Sequence, residues 1–520
     1  MGNDHERAVA VVGAGVAGLA AAYSLVDRGH PLDLIERSDR IGGHADTREV
    51  GGKHVDVGFM VLNNVTYPNL TEWLTRLGVA IAPSDMSFSV SNSSAEWCSD
   101  GFSGMFASWN SLVSSKHWRM LVEMLRFQRE VESFLRSPLQ TDITLGHFVS
   151  SRGFSDYFVH NYLVPVCSSV WSTPGELILE SSAECILRFM SNHHMLQLIF
   201  RPGWLTVNGR SHQYVHKVQQ HIEANGGSVH TSTVVERVQP CDDGVALHFS
   251  SGSVQRYKRA VLATHAPDAL RMLGNDASPS QRQLLSSFAY SASKLYLHRD
   301  ARYMPTRRCA WASWNFRSSS AGNDNVCLTY WLNRLQNLGD VPADPKAESK
   351  DGDPVLVTLN PQERPRAVLQ EWETSHPVPS REANSASKRM CTIQGENCLY
   401  FCGAYEGFGF HEDGVKSGFA CASAVSDELH PLKSPKATNG FVNGANGHHD
   451  DVNAVFKHGS HILKQNPPHM LVMGTHYVAR LLCVSFFRSV ACVHFFTHEI
   501  HYPSSHCRSL LNLIWPCAGH

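Results

Sequence analysis

Three glycines near the N-terminus have the spacing of a turn that binds a dinucleotide. Gly13, Gly15 and Gly18 follow an apolar stretch and precede an alanine-rich one. In such a turn the first glycine permits the tight bend, the second lets backbone N–H groups approach a pyrophosphate, and the third lets the helix pack closely on the strand. The phosphates would bind at the positive end of the helix dipole. The pattern therefore favours chemistry that uses a dinucleotide cofactor.

The elements that must position this turn occur in the same order along the chain. Residues 8–12 are predicted to form a strand, a helix follows to about Asp27, and residues 32–35 form a second strand. Glu36 ends that strand, eighteen residues after Gly18, where a carboxylate accepts hydrogen bonds from a ribose. Its charge would repel a 2′-phosphate, which argues against NADP. One alternative is a glycine-rich turn in an ordinary α/β core that binds no cofactor. A second alternative is an NAD-dependent dehydrogenase, which needs only this first strand–helix–strand unit.

Composition excludes several classes of partner. The chain has 520 residues, a formal net charge of −2 and a sequence pI near 7.0, so no electrostatic attraction to nucleic acid is expected. Its 14 cysteines include no Cys-x-x-Cys pair, which favours free thiols in a reducing, cytoplasmic setting. Its 30 histidines are scattered without metal-ligand spacing, so no metal is predicted. These features leave the oligomeric state open.

Segments of the nucleotide-binding kind recur along the chain and divide it into parts. We expect cofactor-binding parts at about residues 1–70, 200–265 and 395–430. The stretches between them, about 71–199 and 266–394, are expected to form a substrate domain from two insertions. We therefore expect residues 1–430 to form one unit.

Periodicity and composition predict further segments. Residues 116–136 have apolar side chains at helical spacing and predict a long amphipathic helix, and residues 207–224 predict another. Residues 340–354 are polar and predict a loop. Residues 431–455 are rich in Pro, Gly, Asn and Ser and predict a flexible linker, whereas 456–520 form a poorly specified tail.

The tail contains one apolar stretch, residues 470–500. Arg480, Arg488 and several histidines interrupt it, and a membrane span needs about 18 or more apolar residues with few charges. We therefore expect peripheral membrane contact at most, and a protein that is cytoplasmic or membrane-associated.

A second set of motifs makes the pattern specific. Residues 40–44 (Arg-Ile-Gly-Gly-His), Asp56-x-Gly58 and a glycine-containing block at 403–418 follow the first turn in this order. With that turn and Glu36, the set resembles the FAD-dependent amine oxidase superfamily, which includes monoamine oxidases and carotenoid desaturases. The resemblance covers about residues 7–430.

One branch of that superfamily is more similar to two of the motifs. Residues 58–70 and 401–414 resemble the flavin-containing oxidoreductases that form the N-terminal half of plant cyclopropane-fatty-acid synthases. The resemblance implies an α/β fold in which a Rossmann-type, NAD(P)-binding-like FAD-binding domain carries an inserted α+β substrate domain. It also implies non-covalent FAD, because no Cys-Tyr attachment motif precedes Gly403.

The turn and the resemblance together assign a set of residues to FAD. They are Gly13, Gly15, Val16, Ala17, Gly18, Glu36, Arg37, Arg40, Gly42, Gly43, His44, Gly58, Phe59, Met60, Val234, Gly403, Ala404, Phe410, His411, Glu412, Asp413 and Val415. Arg40 would donate charge-assisted hydrogen bonds to a phosphate, whereas His44 stands where the amine oxidases commonly have Arg. The amides of a helix that begins near Glu412 would stabilise negative charge on a reduced flavin.

Three residues are the catalytic candidates that the resemblance implies. Phe410 occupies the place of one tyrosine of the monoamine oxidase aromatic cage, His411 follows it, and Lys294 corresponds to a lysine near flavin N5. The implied reaction is oxidation of a substrate C–H or C–N bond by hydride transfer to N5. Because Phe410 lacks a hydroxyl, a fatty-acyl or isoprenoid desaturase or isomerase of lipid metabolism is an alternative. A flavin-binding subunit without turnover is the third hypothesis. The expected binding partner of the enzyme is a small-molecule or lipid substrate.

Overall fold

Two large sheets organise the part of the chain that the computed structural model describes, which comprises residues 8–137, 143–171, 173–197, 202–318, 327–339 and 354–429. The strands are β1 (Val9–Val12), β2 (Leu32–Ile35), β3 (Thr47–Val50), β4 (Lys53–Asp56), β5 (Ile81–Pro83), β6 (Phe88–Ser91), β7 (Glu96–Cys98), β8 (Leu205–Val207), β9 (Ser228–His230), β10 (Val235–Cys241), β11 (Gly244–Phe249), β12 (Val254–Tyr257), β13 (Arg259–Leu262), β14 (Tyr290–His298), β15 (Trp314–Arg317), β16 (Cys327–Trp331), β17 (Leu356–Leu359), β18 (Val368–Pro377) and β19 (Leu399–Phe401).

The α-helices connect these strands and cover both sheets. They are α1 (Val16–Asp27), α2 (Pro68–Arg76), α3 (Gly101–Met105), α4 (Trp109–Val113), α5 (Ser115–Arg136), α6 (Leu145–Ser151), α7 (Asp156–Phe158), α8 (Val164–Trp171), α9 (Gly175–Glu180), α10 (Ala183–Asn192), α11 (His212–Ala224), α12 (Ala266–Leu273), α13 (Pro279–Leu285), α14 (Leu332–Leu335), α15 (Arg381–Ser387) and α16 (His411–Leu429).

The five-stranded sheet is parallel and has the order β19-β13-β1-β2-β9. Its central strand β1 is buried at every position, as expected for the middle of a parallel sheet. The strand–helix–strand order that the sequence predicts over residues 8–35 is present as β1-α1-β2. The other three strands come from residues 228–230, 259–262 and 399–401, so distant parts of the chain meet at this sheet.

Helix α16 lies directly against α1 because two glycines allow a close approach. A Cβ atom at Gly414 would lie 2.6 Å from Val16 Cγ1, and one at Gly418 would overlap the carbonyl oxygen of Ala17. A side chain at either position would force the helices apart. The contact holds the beginning and the end of residues 8–429 together.

The seven-stranded sheet has the order β18-β14-β17-β16-β15-β6-β7 and is antiparallel except where β15 pairs with β6. Helix α5 matches the predicted amphipathic helix and buries Met120, Met124, Phe127 and Val131 in the core beside this sheet. Burying each such side chain contributes about 1.5–3 kcal/mol. Between β9 and β13 in the chain, β10, β11 and β12 form a separate antiparallel sheet.

The helix predicted over residues 207–224 was wrong at its start. Residues Leu205–Val207 form β8, which pairs with β5, and the helix begins only at His212. Gly209 and Arg210 have φ angles of 76° and 83°, which a right-handed helix does not contain. Helical periodicity continued through this turn because Val207 is buried in the strand.

Two helices that the sequence analysis grouped with the substrate domain pack elsewhere. Helices α12 and α13 bury Leu273 and Leu285 in the core that contains Leu262 of the five-stranded sheet. The predicted linker and tail lie outside the described residues, as do 340–353 of the predicted polar loop. Within the described ranges, no helix is long and apolar enough to cross a membrane.

The contact between α1 and α16 predicts a specific loss of stability. Gly418→Ala should lower the free energy of unfolding by about 2 kcal/mol, because the added methyl group overlaps the Ala17 carbonyl and the backbone cannot give way cheaply. Thermal and denaturant unfolding of the full chain measure the change. The control is Lys416→Ala on the exposed side of the same helix. Equal stability of the two variants would contradict the close approach.

Candidate active site

The glycine turn between β1 and α1 has room for a side chain at Gly15 but not at Gly13 or Gly18. Gly13 has a φ of 101°, and a Cβ there would lie 2.6 Å from the carbonyl oxygen of Ala263. A Cβ at Gly18 would overlap the Gly13 carbonyl. In contrast, no atom lies within 4 Å of the Cβ position of Gly15. The turn therefore packs tightly on its protein side and opens outward at Gly15.

Glu36 closes the same turn from the end of β2. Its carboxylate accepts the N–H of Ala14 at 2.8 Å and the N–H of Ser38 at 2.9 Å. Each carboxylate oxygen has two lone pairs, so Glu36 keeps acceptor capacity for a ribose after making these bonds. The strand end thus fixes the carboxylate where the sequence pattern requires it.

Residues 40–44 run alongside the turn. The N–H of Gly42 donates to the Ala14 carbonyl at 2.8 Å, and a Cβ at Gly43 would lie 2.9 Å from Gly15 Cα. Arg40 contacts the Asp46 carboxylate at 3.0 Å and the Gly43 carbonyl at 3.1 Å. The guanidinium is therefore partly engaged within the loop, and its role towards a phosphate stays a prediction. Arg37 is more exposed and lies 4.0 Å from Asp268.

His44 lies in a group of histidines from three elements. Its Nε2 atom is 2.9 Å from Thr374 Oγ1, and its ring centroid is 5.5 Å from that of His376 and 6.3 Å from that of His265. The surrounding protein lowers the pKa of His44 to about 3 and that of His376 to about 4, and the neighbouring imidazoles act in the same direction. Both rings are therefore neutral near pH 7 and do not supply the charge of an arginine.

The N-terminus of α16 is held by two of its own carboxylates. Asp413 Oδ2 accepts the N–H groups of Phe408 and Phe410, each at 3.0 Å, and so closes the loop before the helix. Glu412 accepts the N–H groups of Asn69 at 3.0 Å and Leu70 at 2.9 Å and so caps α2. Both side chains thus fix backbone, and contact of Glu412 and Asp413 with a cofactor stays a prediction.

His411 is the first residue of α16 and is 8% exposed. Its ring stacks on Phe59 at a centroid distance of 3.9 Å, and its Nε2 atom lies 2.6 Å from the hydroxyl of Tyr214. Burial lowers the pKa of His411 to about 3, so the imidazole is neutral. This packing joins α16, α11 and the Gly58–Met60 segment, and a catalytic role for His411 stays a prediction.

Phe410 forms one wall of an aromatic cluster that the sequence analysis missed in part. Its ring stacks on Phe189 at 4.8 Å and lies 5.2 Å from His193, and Phe408 contacts the same two rings. His193 Nδ1 is 3.0 Å from the Phe189 carbonyl, and burial lowers the pKa of the ring to about 4. Phe189 and His193 come from the end of α10, where helical periodicity alone gave no functional signal.

The structure does not bring Lys294 together with the other predicted site residues. Lys294 pairs with Glu373, and the neighbouring pair is Ser293 with Thr374, whose hydroxyl contacts His44. Because successive side chains of a strand point to opposite faces, Lys294 points away from His44 and lies exposed. Hydrogen bonding to Tyr296 and the nearby Glu371 raise the pKa of Lys294, so it stays a surface ammonium.

The remaining assigned residues lie around the same turn and helix. The N–H of Phe59 donates to the His44 carbonyl at 2.7 Å, and that of Gly403 donates to Ser417 Oγ at 3.0 Å. Val234 is 40% exposed and lines a cavity of about 190 Å³ next to Ile35. Other assigned positions at these elements are Val16, Ala17, Gly58, Met60, Ala404 and Val415. Their contact with a cofactor stays a prediction.

Glu406 is an acid in the loop before α16 that the sequence analysis did not single out. Its Oε1 atom is buried and has no hydrogen-bond partner within the described part of the chain. Burial raises the pKa of Glu406 to about 8, and a hydrogen bond with Ser417 opposes that shift. The carboxyl group is therefore mostly protonated at neutral pH.

These residues fit FAD. The open position at Gly15 sits at the N-terminus of α1, where Gly15 has no side chain that could cap the first N–H groups. Glu36 is fixed within reach of the same turn, and the N-terminus of α16 lies beside α1 through Gly414 and Val16. In the described ranges, no group of three or more His, Cys, Asp or Glu side chains is arranged to hold a metal.

The state of Glu406 predicts how stability depends on pH. Between the pKa of an unfolded Glu, about 4.3, and about 8, the folded chain holds a proton that the unfolded chain has lost, so stability falls as pH rises through this window. Glu406→Gln should therefore raise the melting temperature at about pH 9 and change it much less at about pH 5. Glu373→Gln, on an exposed strand position, is the control. A constant difference between Glu406→Gln and wild type over this range would contradict the assignment.

Comparison with known proteins finds similarity to flavin-dependent oxidoreductases. The 15-cis-phytoene desaturase of Narcissus pseudonarcissus is 22% identical over 283 residues, which cover 51% of this chain and 48% of that protein. The (S)-6-hydroxynicotine oxidase of Paenarthrobacter nicotinovorans is 24% identical over 283 residues, covering 52% and 63%. The chain thus spans less than two thirds of the length of these curated relatives.

A solved structure shares the fold over most of its length. Cyclohexylamine oxidase from Brevibacterium oxydans superimposes with a TM-score of 0.58 at 19% identity, covering 82% of this chain and 99% of that chain. At this identity the likeness concerns the fold alone, which is an amine-oxidase-like FAD-binding fold of mixed α/β content. The family model described as flavin containing amine oxidoreductase matches residues 16–426. The chain therefore belongs to the family of flavin-containing amine oxidoreductases.

Proposed function

We propose that this FAD-dependent oxidoreductase oxidises a C–H or C–N bond of a small organic substrate by hydride transfer to flavin N5. FAD supplies the hydride acceptor when bound, as in other flavoproteins. The observation that carries the proposal is the meeting of two helix N-termini, where Gly414 of α16 contacts Val16 of α1 beside the open position at Gly15. One elongated cofactor can be held by both ends of the described chain at this point.

The protein's own part is to bind, orient and exclude water. In this proposal the first N–H groups of α1 bind the pyrophosphate and Glu36 accepts hydrogen bonds from the ribose. The N-terminus of α16 offers positive partial charge where negative charge accumulates during reduction. His411, locked between Phe59 and Tyr214, keeps that helix end in place.

The aromatic cluster favours an apolar substrate surface. Phe408, Phe410 and Phe189 are hydrocarbon rings, and His193 beside them is neutral, so this wall offers no charge to a substrate. This favours the second candidate, a desaturase or isomerase of fatty-acyl or isoprenoid chains. A phytoene desaturase among the relatives is consistent with that candidate.

Three finer points rest on the sequence alone. The cytoplasmic location, the resemblance to the plant synthase branch and peripheral membrane contact through residues 470–500 stay predictions, since the tail lies outside the described residues. The division into a cofactor part and a substrate domain is likewise our proposal. It is supported by the two large sheets, which draw their strands from largely different stretches of the chain.

The glycine turn predicts a loss of cofactor without a loss of fold. Gly15→Asp should weaken FAD binding by about 100-fold or more, because a carboxylate would repel the pyrophosphate, whereas the free space at this position spares the fold. Flavin absorbance after gel filtration and reconstitution titrations measure the loss. Gly15→Ala is the matched control and should keep far more FAD. A Gly15→Asp protein that stays yellow would refute the site.

The aromatic cluster predicts how a change at Phe410 affects the rate of flavin reduction. Phe410→Leu should slow flavin reduction by about tenfold to a hundredfold while FAD stays bound, because the ring positions the substrate. Stopped-flow absorbance under anaerobic conditions measures the rate with a panel of amines and of acyl and isoprenoid lipids. Lys294→Ala is the control and should react like wild type, since its side chain lies on the other face of the sheet.

The panel separates the candidates. Reduction by amines, followed by peroxide release in oxygen, supports an oxidase. Anaerobic turnover of lipids without peroxide supports the desaturase or isomerase. Retained FAD that no compound reduces would contradict both and leave a flavin-binding subunit.

A further inference from the structure

Exposed apolar side chains concentrate in one short stretch of the substrate domain. Phe102 is 51% exposed, Trp109 55%, Val113 66% and Val122 63%, and these are four of the nine large hydrophobic side chains that are exposed in the described residues. All four lie on α3, α4 and the first turns of α5, within 21 residues of sequence. We call this the α3–α5 surface. Single exposed apolar residues are ordinary, but a group of this kind marks an interaction site.

The α3–α5 surface is rigidly built. Phe106 is 1% exposed and contacts the rings of Phe102 and Trp118, each at 4.8 Å, so it holds α3 against α5. Ser108 forms a capping box at the start of α4, and Ser114 both ends α4 and caps α5. The exposed side chains of α3 and α4 therefore project from fixed helix ends.

The charge of the surface has one sign. From residue 101 to 122 the chain contains Lys116 and Arg119 and no Asp or Glu. The two flanking acids are both paired: Asp100 contacts Arg334 at 2.6 Å, a guanidinium that it shares with Asp85, and Glu123 is 3% exposed and contacts Arg119 at 3.1 Å.

Neighbouring elements add further cations. The segment Arg308–Ala310 packs against α3, and Arg308 lies over the rings of Trp311 and Trp331. Arg307 is paired with Glu96, and Asp156 is the acid at the start of α7, which packs on α5. Within the described residues Lys116 and Arg308 are exposed and form no ion pair, so two cations are available beside the exposed apolar group.

We propose that the α3–α5 surface docks the protein on an anionic lipid bilayer. Trp and Phe partition to the interface between lipid and water, aliphatic side chains enter the acyl boundary, and nearby Lys and Arg are attracted to anionic headgroups. A protein partner would be expected to carry acids opposite Lys116, but the combination of Trp109, Phe102 and Val113 at helix ends is that of an interfacial anchor. The inner face of α5 lines the core of the substrate domain, so docking brings that domain to the bilayer.

Vesicle binding by the purified full chain tests the proposal. The protein is sedimented with vesicles of phosphatidylcholine, with and without phosphatidylserine, at low and high salt. Wild type should bind the anionic vesicles and release them as salt rises. Trp109→Ala combined with Val113→Ser should lower the partition coefficient about tenfold or more, since both apolar anchors are lost. Lys116→Ala should lower it about fivefold on anionic vesicles only.

The control is Val254→Ser, which replaces a 52% exposed valine on β12 and should bind like wild type. Bound FAD and the melting temperature check that each variant is folded, and Val113→Ser alone serves if the double variant is not. Wild type that binds no vesicle, a double variant that binds as well as wild type, or an equal loss in the control would overturn the proposal. The proposal would also be overturned if wild type formed a dimer without vesicles and the double variant did not, because a second copy of the chain would then cover the α3–α5 surface.

Discussion

The close contact between the N-terminal ends of α1 and α16 is the constraint on which the rest of the site depends. Gly414 and Gly418 let α16 lie directly on Val16 and Ala17, so the first and last helices of the described chain share one interface. Each helix presents its positive end to the same region. Without this approach the glycine turn would still form, but it would bind only one half of an elongated cofactor.

Several long-range contacts serve to keep that interface in register. Glu412 caps α2, Asp413 closes the loop before α16, and His411 is held between Phe59 and Tyr214. These side chains look like ligands in the sequence because polar residues at a helix start are the usual binding groups. Their acceptor atoms are instead directed to backbone N–H groups, which buried helix ends require. These side chains thus fix the backbone at the start of α16.

Local spacing predicted the β1-α1-β2 unit, the glycine turn and Glu36, because each depends on neighbours within about 30 residues. Features that depend on strand register or on packing between distant helices were not accessible. The face that Lys294 occupies follows from its pairing with Glu373 in β18, a strand that the sequence did not predict. Phe189 reaches Phe410 only through tertiary packing of α10. Secondary-structure propensity carries no information about the pairing of Lys294 with Glu373 or about the contact between Phe189 and Phe410.

The fixed positive charge at the site comes mainly from helix N-termini and less from side chains. His44 and His376 are neutral because protein surrounds them, and Arg40 is paired with Asp46, so these three side chains contribute little net positive charge beside the turn. The N–H groups at the start of α1 and α16 do not titrate, and their partial charges persist at any pH at which the helices are folded. The contact at Gly414 therefore determines how the partial charges at the two helix starts are oriented relative to each other.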